Sequence, residues 1–516
     1  MQTINLLDWQ KLQNGSDIRG VALEGVPDEA VNLTPEVVQT LGNAFVQWLI
    51  QQSGKPASEL TIGIGRDSRL SGAELSQAVM AGIAIAGCEV YNFNLASTPA
   101  MFMSTVTDGF SCDGAIMLTA SHLPFNRNGM KFFTPQGGLG KPDIKAILDF
   151  AAAGDLVTGA SPGEITQRDF ISIYAAQLAD TVRREVNHPT HYQQPLTGLK
   201  IIVDAGNGAG GFYADQVLKP LGADTTGSQF LEPDGMFPNH IPNPENEQAM
   251  ASICQAVVDH QADLGIIFDT DVDRAAAVDS QGNELNRNRM IALMSAIVLQ
   301  QHPGSTIVTD SITSDGLTQF IEHLGGKHHR FKRGYKNVID EAIRLNKSGT
   351  ESWLAMETSG HGAMQENYFL DDGAYLATKL LVELAKAKQQ GKNLNEAIAA
   401  LKEPVESEEF RLKIKADDFK TYGNNVIAQL ETFAQSQSDW TVVANNYEGV
   451  RISCNSPTED GWFLLRLSLH DPVIPLNIES NVAQGVSLIA ARLLEFFADF
   501  DELNLSPLQT EVNGCN

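Results

Sequence analysis

Leu264-Gly265-Ile266-Ile267-Phe268-Asp269-Thr270-Asp271-Val272-Asp273-Arg274 runs from an apolar stretch straight into three alternating carboxylates. The apolar stretch reads as a buried strand, so the acids stand at a strand's carboxyl end, where α/β folds place ligands. Carboxylates two residues apart on an extended segment project to one side and converge on a hard cation such as Mg²⁺. A solvated acidic turn is the plainer alternative. An EF-hand loop also begins with this alternation, but it requires glycine at its sixth position and glutamate at its twelfth, where this chain has Arg274 and Ser280.

A second apolar stretch, Ala115-Ile116-Met117-Leu118, gives way in the same manner to Thr119-Ala120-Ser121-His122-Leu123-Pro124. A serine in such a loop is ordinarily a turn former. Its company here is His122 and then Asn126-Arg127-Asn128-Gly129-Met130-Lys131, which brings a cation ten residues after the serine. A metal held by the aspartates would polarise a phosphoryl group on such a serine, and Lys131 would stabilise its charge or move a proton.

Around these two stretches the chain alternates strand-like and helix-like segments. Leu60 to Gly65 is a short apolar run, Gly72 to Ala86 a helix, and Cys88 to Phe93 again a strand, the grammar of a βαβ unit. It returns at Leu199 to Asp204, followed by Ala205-Gly206-Asn207-Gly208-Ala209-Gly210-Gly211 and a helix expected from about Phe212 to Leu221. A third unit comprises strands at Thr306 to Thr309 and Trp353 to Met356, with helices at Ser314 to Leu324 and Ala374 to Lys388. After Glu403 to Glu409 the texture changes. Phe410 to Ile414, Gly449 to Ser453 and Trp462 to Ser468 alternate as strands, with helices at Asp418 to Gln435 and Val482 to Phe497, which suggests a separate α+β domain. The expected architecture is three similar α/β mixed-sheet domains at 1–162, 163–292 and 293–404, followed by a smaller α+β domain at 405–516.

The chain's 516 residues exceed what one core can organise, and 43% hydrophobic with 19% charged residues excludes a disordered chain. A net charge of -27 with no strongly basic stretch argues against nucleic acid or an anionic membrane as partner. An anionic small molecule would therefore need a locally basic cleft. Five scattered cysteines without metal-ligand spacing, no signal-type leader and no run of 18 apolar residues point to a cytoplasmic protein.

The ordered set of motifs resembles the α-D-phosphohexomutases, the phosphoglucomutase and phosphomannomutase superfamily. It comprises Gly15-Ser16-Asp17-Ile18-Arg19-Gly20, Gly65-Arg66-Asp67-Ser68-Arg69-Leu70-Ser71, the Ser121 loop ending in Lys131, and Val203-Asp204-Ala205-Gly206-Asn207-Gly208. Pro233-Asp234-Gly235, the aspartate loop and Glu357-Thr358-Ser359-Gly360-His361 complete it in order. By that resemblance Ser121 is the phosphoserine, and Asp269, Asp271 and Asp273 bind one Mg²⁺ together with its phosphate oxygen. Arg274, Arg19, Lys131 and His122 surround the transferring group, with Lys131 and His361 as proton movers. Glu357 and Ser359 grip two sugar hydroxyls and Lys332 serves a further substrate loop, in which Tyr335 stands where histidine is more usual. The implied activity interconverts hexose 1-phosphate and hexose 6-phosphate through a bisphosphate, with glucose 1,6-bisphosphate as activator, in a monomer or homodimer.

Two departures from the family pattern stand out. The C-terminal phosphate loop reads Arg466-Leu467-Ser468-Leu469-His470-Asp471-Pro472-Val473-Ile474-Pro475, so Arg466 and Ser468 remain while a threonine has become His470 and a later arginine Pro475. A hydroxyl donor and a cation are lost there, one of which His470 would replace when protonated. Leu123 replaces the usual asparagine in the serine loop. Alternatives are a phosphoglucosamine mutase, a diverged member that binds sugar phosphates with little turnover, and a metal-dependent phosphatase, which would use an aspartate nucleophile and no sugar loop.

Overall fold

The computed structural model describes residues 8–468 and 471–514. Its chain divides into two compact units, residues 1–290 with 359–396, and residues 291–358 with 397–516.

The first unit holds two sheets. In the larger, the strands run in the order Gln13–Asn14, Asp17–Val21, Arg127–Thr134, Gly114–Leu118, Thr61–Arg66, Glu89–Leu95 and Ile165–Gln167. Thr61–Arg66 lies parallel to both of its neighbours, whereas Arg127–Thr134 is antiparallel to both of its own. The sheet is therefore mixed, as expected. Helix Pro35–Ser53 begins with Thr34 as its N-cap and proline at its first position, and ends at Gly54 in the left-handed conformation. Its apolar side covers the sheet through Phe45, whose ring lies 5.0 Å from that of Phe132. Gly114 permits this approach, since a Cβ there would meet the Phe45 ring at 2.8 Å.

The second sheet is ordered Glu284–Leu285, Ala275–Asp279, Leu264–Phe268 and Ile201–Asp204. Every residue of Leu264–Phe268 is buried, as the uninterrupted apolar run requires. Helix Glu247–His260 packs Met250, Ile253 and Val257 into the core of this sheet. The helix expected from Phe212 to Leu221 is present, as a π-helix over Tyr213–Leu218 followed by a 3-10 helix at Lys219–Leu221. Pro220 has no N–H to continue a regular ladder, and Gly222 in the left-handed conformation ends it. A hairpin of Gly362–Met364 with Leu370–Asp371 and the helix Gly373–Gln389 complete the unit.

In the second unit the parallel strands Lys327–Arg330, Thr306–Thr309 and Leu354–Met356 are flanked by helices Asp315–His323 and Tyr335–Lys347. An antiparallel sheet follows in the order Glu406–Lys413, Val473–Ser480, Gly461–Leu465, Val450–Cys454 and Trp440–Val442, with helices Phe419–Gln435 and Gly485–Phe497 sharing its core. The strand expected over Trp462 to Ser468 stops at Leu465, so Arg466 to Ser468 belong to a loop. Arg451 is buried, lies 3.5 Å from the Trp462 ring centre, and donates to the carbonyls of Ser311 and Thr313 (3.0 and 3.1 Å). One guanidinium thus joins this sheet to the loop after Thr306–Thr309. Among the described residues no helix is long and apolar enough to cross a membrane.

Candidate active site

Strand Leu264–Phe268 delivers Asp269, Asp271 and Asp273 into a turn in which Val272 takes φ 68°. A β-branched residue rarely adopts that conformation, and here it reverses the chain so that acids on either side of it face one point. Neighbouring backbone helps hold the turn, with bonds from Thr98 N to the Asp271 carbonyl (2.8 Å), from Gly373 N to the Val272 carbonyl (3.1 Å) and from Ala209 N to the Thr270 carbonyl (2.8 Å). A side chain at position 373 would meet the Arg274 carbonyl carbon at 2.5 Å, so glycine is required for this approach. The triad is buried, and one oxygen from each carboxylate lies within 4.8 Å of the others.

The donor set suits a hard cation. Oδ1 of Asp271 and Oδ1 of Asp273 are buried and have no hydrogen-bond partner among the described residues, an expensive state for carboxylate oxygens unless a cation shares them. Burial, then the charges of Asp273 and Asp271, push Asp269 well above the usual carboxylate range. Burial acts the same way on Asp273, but Lys131, His361 and Arg274 outweigh it and hold that carboxyl well below the range.

Ser121 lies beside the triad. Its Oγ donates to Asp269 Oδ2 (3.0 Å) and accepts from Arg274 Nη2 (2.9 Å), and its backbone N donates to Thr119 Oγ1 (2.9 Å). The sheet explains why Arg19 and Lys131 arrive here too. Arg19 pairs with Gly129 and Lys131 with Met117, so both side chains leave one face of adjacent strands just before the Ser121 loop. Arg19 Nη1 donates to the Ala120 carbonyl (3.2 Å) and Nη2 to Asp17 (2.9 Å). Lys131 Nζ lies 3.1 Å from Asp271 Oδ2 and also bridges to Asp273.

His122 has its Nδ1 2.8 Å from Arg274 Nη2. Burial, then the charges of Arg274 and Arg19, pull it down to about 3. It is therefore a neutral imidazole that accepts from Arg274, not a cation for phosphate. His361 is the opposite case. An isolated antiparallel bridge places it across from Arg274, and its Nδ1 meets Asp371 Oδ2 at 2.5 Å. Burial alone would lower it, but Asp371 and Asp273 raise it to about 9. Ser359 Oγ, in the same unit, is buried with no hydrogen-bond partner among the described residues.

The remaining candidates lie in the second unit. Glu357 follows strand Leu354–Met356, and its Oε1 accepts from Gly334 N at 2.6 Å, where φ 114° demands glycine. That bond ties the Glu357 carboxylate to the loop carrying Lys332, which is exposed. Thr358 donates through both its N and its Oγ1 to Asp310 (3.3 and 2.8 Å). Arg466 is buried, and burial followed by the charge of Arg333 lowers its pKa. Its Nε has no hydrogen-bond partner among the described residues. Ser468 Oγ accepts from Asp471 N (3.3 Å). His470 lies outside the described residues.

Reading the sequence missed Thr98 and Asp371. Thr98 Oγ1 donates to Asp271 Oδ2 (2.5 Å), the oxygen that also faces Lys131 Nζ, while Asp271 Oδ1 has no hydrogen-bond partner among the described residues. Its only sequence signal was Ser97-Thr98-Pro99, which marks a helix start. Asp371 carried no signal beyond its charge.

Three family models match the chain: phosphoglucomutase/phosphomannomutase α/β/α domain I over residues 10–157, domain II over 175–282 and domain III over 286–404. A phosphomannomutase/phosphoglucomutase of Pseudomonas syringae pv. tomato is 31% identical over 465 residues, covering 90% of this chain and 91% of that protein. A phosphoglucomutase of Neisseria gonorrhoeae is 28% identical, covering 92% and 94%. The crystal structure of a phosphoglucomutase/phosphomannomutase family protein from Burkholderia thailandensis superposes with TM-score 0.75 at 27% identity, covering 95% of this chain and 97% of that one.

Proposed function

We propose that this chain, which belongs to the phosphoglucomutase/phosphomannomutase family, is an isomerase that interconverts hexose 1-phosphates and hexose 6-phosphates by passing a phosphoryl group through Ser121. The observation that carries this reading is the position of Ser121 Oγ, 3.0 Å from Asp269 and 2.9 Å from Arg274 at the edge of the buried triad. Glucose or mannose is the sugar. Glucosamine stands behind them, since Thr358, bonded to Asp310, matches no single specificity.

Asp269, Asp271 and Asp273 would hold one Mg²⁺, which when bound neutralises charge on the phosphoryl oxygens. The chain's own residues do the rest. Arg274 directs a donor at Ser121 Oγ while its other face is fixed by Asp269 and by Asn243 (2.9 Å). His122, neutral, keeps Arg274 from rotating away by accepting a hydrogen bond from its Nη2. Lys131 and Arg19 supply positive charge for the group in transfer. When Ser121 receives a phosphoryl group from a bisphosphate, the Oγ–phosphorus bond forms as the phosphorus–sugar oxygen bond breaks; the hydroxyl passes its proton to Asp269 Oδ2, to which it already donates, and the sugar oxygen needs a proton of its own. His361, held charged, gives it, and takes it back in the opposite half-reaction. Glu357 and Ser359 are assigned to sugar hydroxyls, and Lys332, Arg466 and Ser468 to the rest of the substrate. Glucose 1,6-bisphosphate is the activator, the four domains divide at 162, 292 and 404, and the protein works in the cytoplasm.

The test is conversion of glucose 1-phosphate, and separately mannose 1-phosphate, with Mg²⁺ and catalytic glucose 1,6-bisphosphate. Isomerisation is expected. Release of inorganic phosphate in its place would make the protein a phosphatase, and binding without turnover a sugar-phosphate-binding member of the family.

A further inference from the structure

We propose that Arg69 is the positioning residue for Ser121: its buried guanidinium fixes the serine loop so that Oγ stays aimed at Asp269 and Arg274 through both half-reactions. The inference rests on the reading of Ser121 as the phosphoryl carrier.

Arg69 is 1% exposed. Its donors go to backbone. Nη1 donates to the carbonyls of Pro124 (2.8 Å) and Arg127 (2.9 Å), and Nη2 to those of Ser121 and Leu123 (both 2.5 Å). Four carbonyls of one loop thus converge on one planar fork. The Ser121 carbonyl is buried at this bond, and a buried carbonyl left without a donor costs about 1–3 kcal/mol; no other side chain presents enough donors in a fixed plane to reach all four.

The grip matters most at Ser121. This residue has φ 51°, a left-handed conformation that costs a non-glycine residue roughly 1–2 kcal/mol. Such a conformation persists only where the surroundings over-determine it. Thr119 Oγ1 holds the peptide before Ser121 and Arg69 holds the carbonyl after it, so both sides of the strained residue are fixed. The direction of Oγ follows from those two peptides.

Arg69 is itself immobilised. Its backbone N donates to Asp67 Oδ1 (2.9 Å), its Nε lies 3.4 Å from Asp67 Oδ2, and the Phe237 ring centre lies 5.4 Å from its guanidinium carbon. Pro233-Asp234-Gly235 closes the arrangement. A Cβ at position 235 would meet Leu70 N at 2.5 Å, Ser68 O at 2.7 Å and the Arg69 carbonyl carbon at 2.9 Å. Gly235 is there so that backbone can press on the Arg69 turn.

Arg69→Lys decides the matter, because lysine keeps the charge but is a point donor that cannot span four carbonyls. The expected result is a fall in kcat of about 100-fold, with KM for the hexose phosphate and Mg²⁺ affinity by calorimetry each within about twofold of wild type, since lysine keeps the charge and the fork of Arg69 donates to backbone carbonyls, not to the triad. Hydrogen–deuterium exchange of residues 121–127 should quicken by about tenfold or more while strand Leu264–Phe268 is unchanged. Near-normal kcat with unchanged exchange would overturn the proposal. So would a loss of activity that merely follows the folded fraction, which would make the role structural. If Arg69→Lys does not fold, Gly235→Ala perturbs the same turn from outside and must give the same split between kcat and KM. Should the wild type itself not isomerise, the reading of Ser121 falls, while the exchange measurement still decides whether Arg69 holds the loop.

Discussion

At the scale of single residues, the site sorts two histidines by their neighbours. His122 faces two guanidinium groups and is neutral, whereas His361 faces two carboxylates and is charged. Asp371 is the group that separates them, since after burial, which opposes it, it is the largest influence on His361. Replacing it with a neutral isostere, Asp371→Asn, should lower the His361 pKa from about 9 by about 1–3 units. The charged form exists below the pKa, so a lower pKa means the proton donor is lost at a lower pH. The alkaline limb of the kcat profile should therefore move toward neutrality, and superimposable limbs in the two proteins would contradict the role given to His361. None of this was visible in the sequence. His361 stood in a recognisable motif, but Asp371 becomes its partner only because a hairpin folds residues 370–371 back on 362–364.

Among the elements, the packing of helices Pro35–Ser53 and Gly72–Ile85 shows why tertiary contact overrides propensity. Alanine is preferred to glycine inside a helix by about 1 kcal/mol, so Gly82 costs its helix stability. A Cβ at 82, however, would stand 2.0 Å from the Gln39 carbonyl oxygen and 2.9 Å from its carbon. Backbone cannot move aside as a side chain can, and such overpacking costs typically 1–3 kcal/mol. Gly82→Ala should therefore lower the melting temperature despite the better helix former; an unchanged or raised midpoint would show that the helices separate freely. Most elements were legible because their apolar patterns were unbroken, as in Gly72–Ile85 and Leu264–Phe268. At Tyr213–Leu221 the helix was legible but its π and 3-10 form was not, since the ladder breaks at a proline whose effect depends on how the flanking turns close. Arg466 to Ser468 read as strand because alternation continues past the last paired residue, Leu465.

Over the whole molecule, the order of motifs was legible and their partition was not. The chain passes from one compact unit to the other within its sugar motif, so Glu357 and Thr358 belong to one unit and Ser359 and His361 to the other. A linear pattern shows five consecutive residues and no boundary. Likewise, each motif named its own loop, yet the meeting of Asp17–Val21, Gly114–Leu118 and Arg127–Thr134 with the turn after Leu264–Phe268 is what brings Arg19, Ser121 and Lys131 to the triad. The family models and relatives establish the lineage; the carrier role of Ser121 is the claim on which the functional account depends. It is tested most directly by incubating the protein with glucose 1,6-bisphosphate and Mg²⁺, treating half of it with excess glucose 6-phosphate, which accepts the phosphoryl group from the phosphorylated enzyme, then digesting both halves and locating phosphate by mass spectrometry. The account predicts one phosphoryl group on Ser121 that leaves when the sugar phosphate is added, and none in Ser121→Ala, which should not isomerise. Isomerisation by Ser121→Ala, or turnover by the wild type with phosphate only on another residue, would contradict it.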